Sequence, residues 1–196
     1  MSARSRSRLA VAVLGLAIAV SGCSQSSTTT GGKPTMEAST ARDEFKALLD
    51  DTFAAITPQL TWGDDTFTVE PKQTFDNQDR DVAIAEQSRH VLTRLSEEKV
   101  GSLLGVVERR WKERGYTVDF VNPKAPSIQV HTPKGYQLDL VVGGDGKERS
   151  ATFTVSVDKV KVTGERHPFG PGDAAPTDAT GQPSWQPNVD DPFWSH

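Results

Sequence analysis

An α+β fold, with one antiparallel sheet of four to six strands and two α-helices packed on one of its faces, is what this sequence predicts. Two stretches place apolar residues at helical spacing, and four later ones alternate with period two between turn residues. Strands joined by such short turns form an antiparallel meander, and a sheet apolar on one side must be covered by the apolar stripes of helices.

The chain begins with something other than the fold. Arg4, Arg6 and Arg8 precede a twelve-residue apolar run from Leu9 to Val20, followed by Val20-Ser21-Gly22-Cys23. A membrane-crossing helix needs about 20 apolar residues, so this run suits the apolar core of an export signal instead. Cys23 is the only cysteine of the chain. Its position resembles the lipobox of bacterial lipoproteins, in which the peptide is cut before a cysteine that carries a diacylglycerol. The resemblance implies a signal peptide over 1–22, lipidation of Cys23, a palmitate-type acyl anchor, and a location on the extracytoplasmic face of the cell membrane. A single acyl chain binds a membrane only marginally, whereas two or more give lasting attachment.

Lys and Arg number 22 against 26 Asp and Glu, a formal net charge of -4, and loss of residues 1–22 would take it to about -7. An acidic surface argues against nucleic acid as a partner. With Cys23 acylated no disulfide can form, so the core alone must hold the fold. The sequence contains no spaced Cys/His ligand set and no Asn-x-Ser/Thr sequon, and neither a metal nor a cofactor is expected.

Residues 23–38 are rich in Ser, Thr and Gly and read as a flexible tether. The domain itself is expected over 39–164. Its first helix is predicted from Thr40, with Asp43 in a capping arrangement, to the stop at Thr57-Pro58, and buries Phe45, Leu48, Leu49, Phe53 and Ile56. Residues 57–88 are hard to read, but Thr66 to Val69 suits a short edge strand before Pro71. Val82 to Ala85 suits another, extending as far as residues 90–95. Alternation there turns His90, with Arg89 and Arg94 nearby, toward solvent, while Trp62 and Trp111 read as core residues.

The second helix runs from Ser96 as N-cap, with Glu97 and Glu98 at the positive end of the dipole, to Gly115. Its apolar face is Val100, Leu103, Leu104, Val107 and Trp111. Arg109, Arg110, Lys112 and Arg114 gather near its C-terminus, where they complement the dipole or offer a site to an anionic partner such as a lipid headgroup or wall polymer. The meander follows: Tyr116 to Phe120, Ile128 to Val130, Tyr136 to Val142, and Phe153 to Val157, with a phase change near Asp158-Lys159 that predicts a bulge. Gly143-Gly144-Asp145-Gly146 reads as a hairpin turn.

The opposite face of this sheet would carry Thr117, Asp119, Gln129, His131, Gln137, Asp139, Thr152, Thr154 and Ser156. Asp119, His131 and Asp139 could meet there as an acid/base or metal-binding trio, though polar residues alternating on a sheet also simply face water. From Glu165 to His196 the chain has six prolines and five acidic residues against one basic, the composition of a disordered acidic tail. Its Phe169, Trp185, Phe193 and Trp194 suggest rings that pack back or a docking peptide.

The sequence of signal, lipobox, tether, Leu103-Leu104-Gly105-Val106-Val107-Glu108-Arg109-Arg110-Trp111 helix, Arg114-Gly115-Tyr116 turn and β-meander resembles small actinobacterial lipoproteins, a group whose resemblance implies lineage and location but no activity. The functional expectation is a non-enzymatic, lipid-anchored binding or accessory module of the envelope, whose partner is an envelope protein, polymer or lipid. The alternatives are a carrier of a lipid or small hydrophobic ligand and a secreted hydrolase.

Overall fold

Apolar periodicity translates directly into the layers of the fold. The computed structural model describes residues 36–72, 82–144 and 149–196. These form helices α1 (Ala38–Ala54) and α2 (Glu97–Glu113) and strands β1 (Trp62–Asp64), β2 (Thr68–Pro71), β3 (Val82–Val91), β4 (Thr117–Asn122), β5 (Ser127–His131), β6 (Gln137–Gly143) and β7 (Ser150–Lys161). The sheet order is β1-β3-β7-β6-β5-β4, antiparallel throughout, with β2 also on β3. The expected signal peptide, Cys23 and residues 24–35 lie outside the described residues, as does half of the expected Gly143–Gly146 turn.

The α+β architecture is as expected, with one more strand than the predicted upper limit. The excess arises because β1 pairs with one end of β3 and β2 with the other, so one edge strand is broken in two at residues 65–67. Pro71 closes that edge, where a missing N–H leaves no gap in the ladder. β3 stops at Val91, and Thr93 and Leu95 make only isolated bridges.

One sheet face is apolar and covered. Ile128, Val130, Leu138, Leu140, Phe153 and Val155 meet Phe45, Leu49 and Phe53 of α1 and Leu103, Val107 and Trp111 of α2, all 4% exposed or less. The Trp111 indole N–H donates to Thr52 Oγ1 at 2.9 Å, tying the two helices inside the core.

The helix ends depart from expectation. α1 begins at Ala38, before Thr40, with Glu37 at the N-cap and no side-chain cap. Its entry is fixed instead by Lys161 N donating to Met36 O beside β7, so the last residues of the expected tether belong to the domain. Ser96 does occupy the N-cap of α2, but its Oγ caps nothing, while its backbone N–H donates to Trp194 O. Gly115, at φ +75°, supplies the left-handed turn that ends α2.

The expected bulge is present: Val157 and Val160 are both buried, Lys159 has φ +68°, and the β3–β7 register shifts between Ala83 and Ala85. A second irregularity has no signal in the alternation. Between Val118 and Phe120 the register of β4 slips on β5, so Phe120 pairs with Gln129 and shares its face.

The expectation of a disordered tail is corrected. Arg166 O accepts from Val69 N, and Asp173 exchanges bonds with Asp64 through its backbone N–H and its carboxylate, so the segment covers the outer edge of β1 and β2. That edge would otherwise present unpaired strand groups. The strand-free course of 165–196 explains the misreading: a proline-rich segment can lie along an existing edge without a core of its own. Phe169 packs on Phe67 and Trp194 is 1% exposed.

Candidate functional site

The helix-free face of the sheet is built by strand register, since directly paired residues point to the same side. One row is Glu86, Ser156, Gln137, His131 and Thr117; the next is Ser88, Thr154, Asp139, Gln129 and Phe120; the third is His90, Thr152, Val141, Ser127 and Asn122. The expected polar face is therefore present, and nearly every residue named for it lies in these rows.

Its side chains hold one another in place. Asp139 accepts from Gln129 Nε2 on one carboxylate oxygen and from Gln137 Nε2 on the other, both at 2.8 Å. Ser88 Oγ and Thr154 Oγ1 are 2.9 Å apart. Two amides locked on a carboxylate present fixed polar groups at low entropic cost to a ligand.

The proposed trio does not assemble. His131 Nδ1 lies 2.5 Å from Asp119 Oδ2, but Asp139 is engaged by the two glutamines and makes no bond to His131 among the described residues. Among those residues no three His, Cys, Asp or Glu side chains converge as a metal site. The β4 irregularity is the cause: it leaves Asp119 as the extra residue and swings it onto His131.

Glu86 is the charge at odds with its surroundings. Partial loss of hydration first, and then the charges of Glu70 and Asp139, raise its carboxyl above the ordinary 4.5, although the residue stays exposed at the sheet surface. A carboxyl harder to ionise in the fold than in the open chain costs stability once pH exceeds its unfolded value. Glu86→Gln should therefore raise the melting temperature at pH 7, with the gain vanishing near pH 4, where glutamate is itself neutral. A Glu86→Gln protein no more stable than the parent at pH 7 would contradict this.

At the β1 end, His90 meets Asp65 through Nε2 at 3.4 Å and Thr152 Oγ1 through Nδ1 at 3.3 Å, and Trp185 stacks on its ring at 4.8 Å. Gly63 permits this, because a Cβ there would lie 2.6 Å from the Trp185 ring. The sequence reading of His90 as an exposed side chain missed this cover, for which the only signal was an aromatic residue in a segment judged disordered.

The basic end of α2 is not a free anion site. Arg110 and Arg114 each make a two-pronged contact with Asp51 of α1, and Lys112 pairs with Glu108 at 2.6 Å, while Arg109 lies back over Gly105. Burial works against the Asp51 charge, but bonds from Arg114 and Arg110 outweigh it and hold the carboxyl below its ordinary 3.8. A depressed folded value means stabilisation complete above pH 3.8 and lost as pH falls further. Asp51→Asn should lower the melting temperature at pH 7 by a few degrees, about 2–4 °C, and flatten the acid side of the stability profile. An unchanged acid limb in pH-dependent melting would reject the clamp.

No water-sized space adjoins the fully buried residues between helices and sheet, such as Phe45, Leu103, Val107 and Leu140, each at 0% exposure. Two clefts open instead at the strand edge: one of about 590 Å³ between Val69–Pro71 and Val162–Arg166, and one of about 380 Å³ among Arg42, Lys46, Asp64, Gln87 and Asp173. No helix among the described residues is long and apolar enough to cross a membrane. No family model, curated protein or solved structure matches the chain.

Proposed function

We propose that this chain is a lipid-anchored protein of the extracytoplasmic face of the cell membrane, a non-enzymatic module whose open sheet face binds another component of the envelope. The arrangement of Arg4, Arg6, Arg8, the apolar run and Val20-Ser21-Gly22-Cys23 supports the anchoring, as does the likeness to small actinobacterial lipoproteins. The binding role rests above all on one observation: a lattice of locked amides, carboxylate and hydroxyls around Asp139, left uncovered by either helix. The Arg110 and Arg114 heads are spent on Asp51 and the C-terminal aromatics on the domain, which leaves the sheet face as the surface for a partner. The tight helix-to-sheet packing counts against a carrier, and the separation of Asp139 from His131 counts against the hydrolase.

Mass spectrometry of the membrane-extracted protein beside Cys23→Ala tests the anchoring. The parent is expected to begin at an acylated Cys23, and the variant to lose the lipid and partition into the soluble fraction. A parent cut elsewhere and free of lipid would defeat the reading and make a diffusible secreted protein the better starting point.

A further inference from the structure

The open face is chemically one-sided. None of the fifteen residues in its three rows is lysine or arginine, whereas Glu86 and Asp139 stand among them and Asp119 beside them. The domain's cations sit elsewhere and are mostly paired: Lys46 with Asp50, Arg110 and Arg114 with Asp51, Lys112 with Glu108, Lys134 with Glu44. Asp139 accepts from two amides, which orient its carboxyl without bringing a cation to it. Glu86 has no cation against it among the described residues, and the carboxylates of Glu70 and Asp139 act on it unfavourably.

The same face is not purely polar. Phe120 is 48% exposed and Val141 53% exposed, on the second and third rows. Apolar side chains beside hydrogen-bonding groups are the composition of a protein-binding surface. A small inorganic cation would leave Phe120 and Val141 uncovered, and an anionic lipid or nucleic acid would be repelled. Lysine and arginine carry both features needed, an apolar stem to lie on the rings and methyls and a charged head to reach the carboxylates.

Resting on the reading of this face as the binding surface, we infer that its partner is a lysine- or arginine-bearing polypeptide segment lying across the sheet between Glu86 and Phe120. The cationic heads meet Glu86, Asp139 and Asp119, and the stems and apolar neighbours cover Phe120 and Val141. Such an interface forms faster and more tightly at low salt, because exposed charges steer it.

The test uses the full lipidated protein in neutral phosphatidylcholine vesicles and a labelled peptide alternating lysine and valine. Binding is followed by fluorescence anisotropy, with spermidine and a glutamate–valine peptide as controls. Glu86→Gln with Asp139→Asn should weaken the lysine peptide about tenfold, roughly threefold per carboxylate. Phe120→Ser should weaken it as well, and spermidine should compete poorly. No binding of the lysine peptide, equal binding of the glutamate peptide, or an unaltered affinity in the double variant would overturn the inference. So would full displacement by spermidine, which would identify a general polyamine surface.

Photo-crosslinking in intact cells, from a benzophenone amino acid placed at Thr154 or at Arg109, separates this inference from the reading beneath it. Crosslinks from Thr154 that the double variant abolishes support both. Crosslinks from Thr154 that persist in the double variant keep the sheet face and reject the cationic partner. Crosslinks confined to Arg109 reject the sheet face itself.

Discussion

Trp194→Ala is expected to destabilise the protein by about 3–5 kcal/mol, the range for truncating a large buried aromatic side chain. For a domain of this size that corresponds to a fall in melting temperature on the order of 10 °C. The indole is 1% exposed and its Nε1 donates to Pro58 O at 2.8 Å, while Asp191 Oδ1 accepts from the Trp194 backbone N–H at 2.8 Å and fixes the turn that delivers the ring. Alanine would lose the packing and leave the Pro58 carbonyl without that donor. Phe193→Ala is the control: its ring is 40% exposed under Lys99, so its loss should cost about 0.5–1 kcal/mol. Thermal and urea melts of both variants decide the matter. Equal, small effects would mean that the C-terminal segment contributes no packing and that the composition-based expectation of disorder was right after all.

The contrast between this segment and the meander shows what periodicity can and cannot reveal. From Ile128 to Val157 the buried apolar residues of each strand recur at every second position, with Val141 the apolar residue that faces out, so strands and face follow from the alternation, and the polar face containing Gln129, Gln137, Asp139 and Thr154 was visible with it. Where a segment borrows its order from another element, no period exists. Residues 165–196 take their hydrogen bonds from β1, β2 and residues 92–96, and composition reports only that they lack a core of their own. Residues 62–71 were obscure for a related reason, since an edge strand interrupted at 65–67 leaves only three or four residues of alternation on either side.

The candidate site was legible to the level of face but not of contacts. Counting by twos put Asp119, His131 and Asp139 on one side, and all three are there, but the slip between Val118 and Phe120 changed who meets whom. It gave His131 to Asp119 and brought Phe120 out beside Gln129, which is the apolar neighbour the proposed partner needs. The basic cluster of α2 failed as a site because its partner, Asp51, lies 59 residues from Arg110 in the chain. Charge clusters read from one helix cannot show that a second helix already neutralises them.

Arg89 is the other residue whose replacement should have a large effect, and the alternation that turns its neighbour His90 toward solvent places Arg89 on the opposite, covered side. It falls two residues from Val91 and four from Ala85, both buried, so it belongs to the helix-facing side of β3 and is 0% exposed. Its guanidinium donates to both oxygens of Asp64 at 2.6 and 2.8 Å, approaches Asp50 at 3.1 Å, and lies 3.6 Å over the Trp62 ring with Phe53 at 4.9 Å. One nitrogen, Nη1, is buried without a partner, so the arrangement is not optimal for stability.

Breaking such a pair from one side costs more than replacing it whole. Arg89→Met, which keeps most of the volume, should destabilise by about 3 kcal/mol, toward the low end for buried pairs because Asp64 is 22% and Asp50 42% exposed. Arg89→Met combined with Asp64→Leu should recover most of that loss, since no unpaired carboxylate then remains. Denaturant unfolding of the two single variants and the double forms the cycle, and additive losses would show that Arg89 acts by packing alone. A recovered stability carries a second consequence. The Asp64 backbone, which the substitution leaves in place, bonds Asp173 of the C-terminal segment, and its strand bears Gly63 under Trp185; with the Arg89 clamp on the Asp64 carboxylate gone, the double variant should be stable yet looser at that edge. Amide exchange at residues 62–64 and 171–173 would then rise while that of β5 and β6 stays slow, the result expected if the buried arginine is kept to position the edge of the open face.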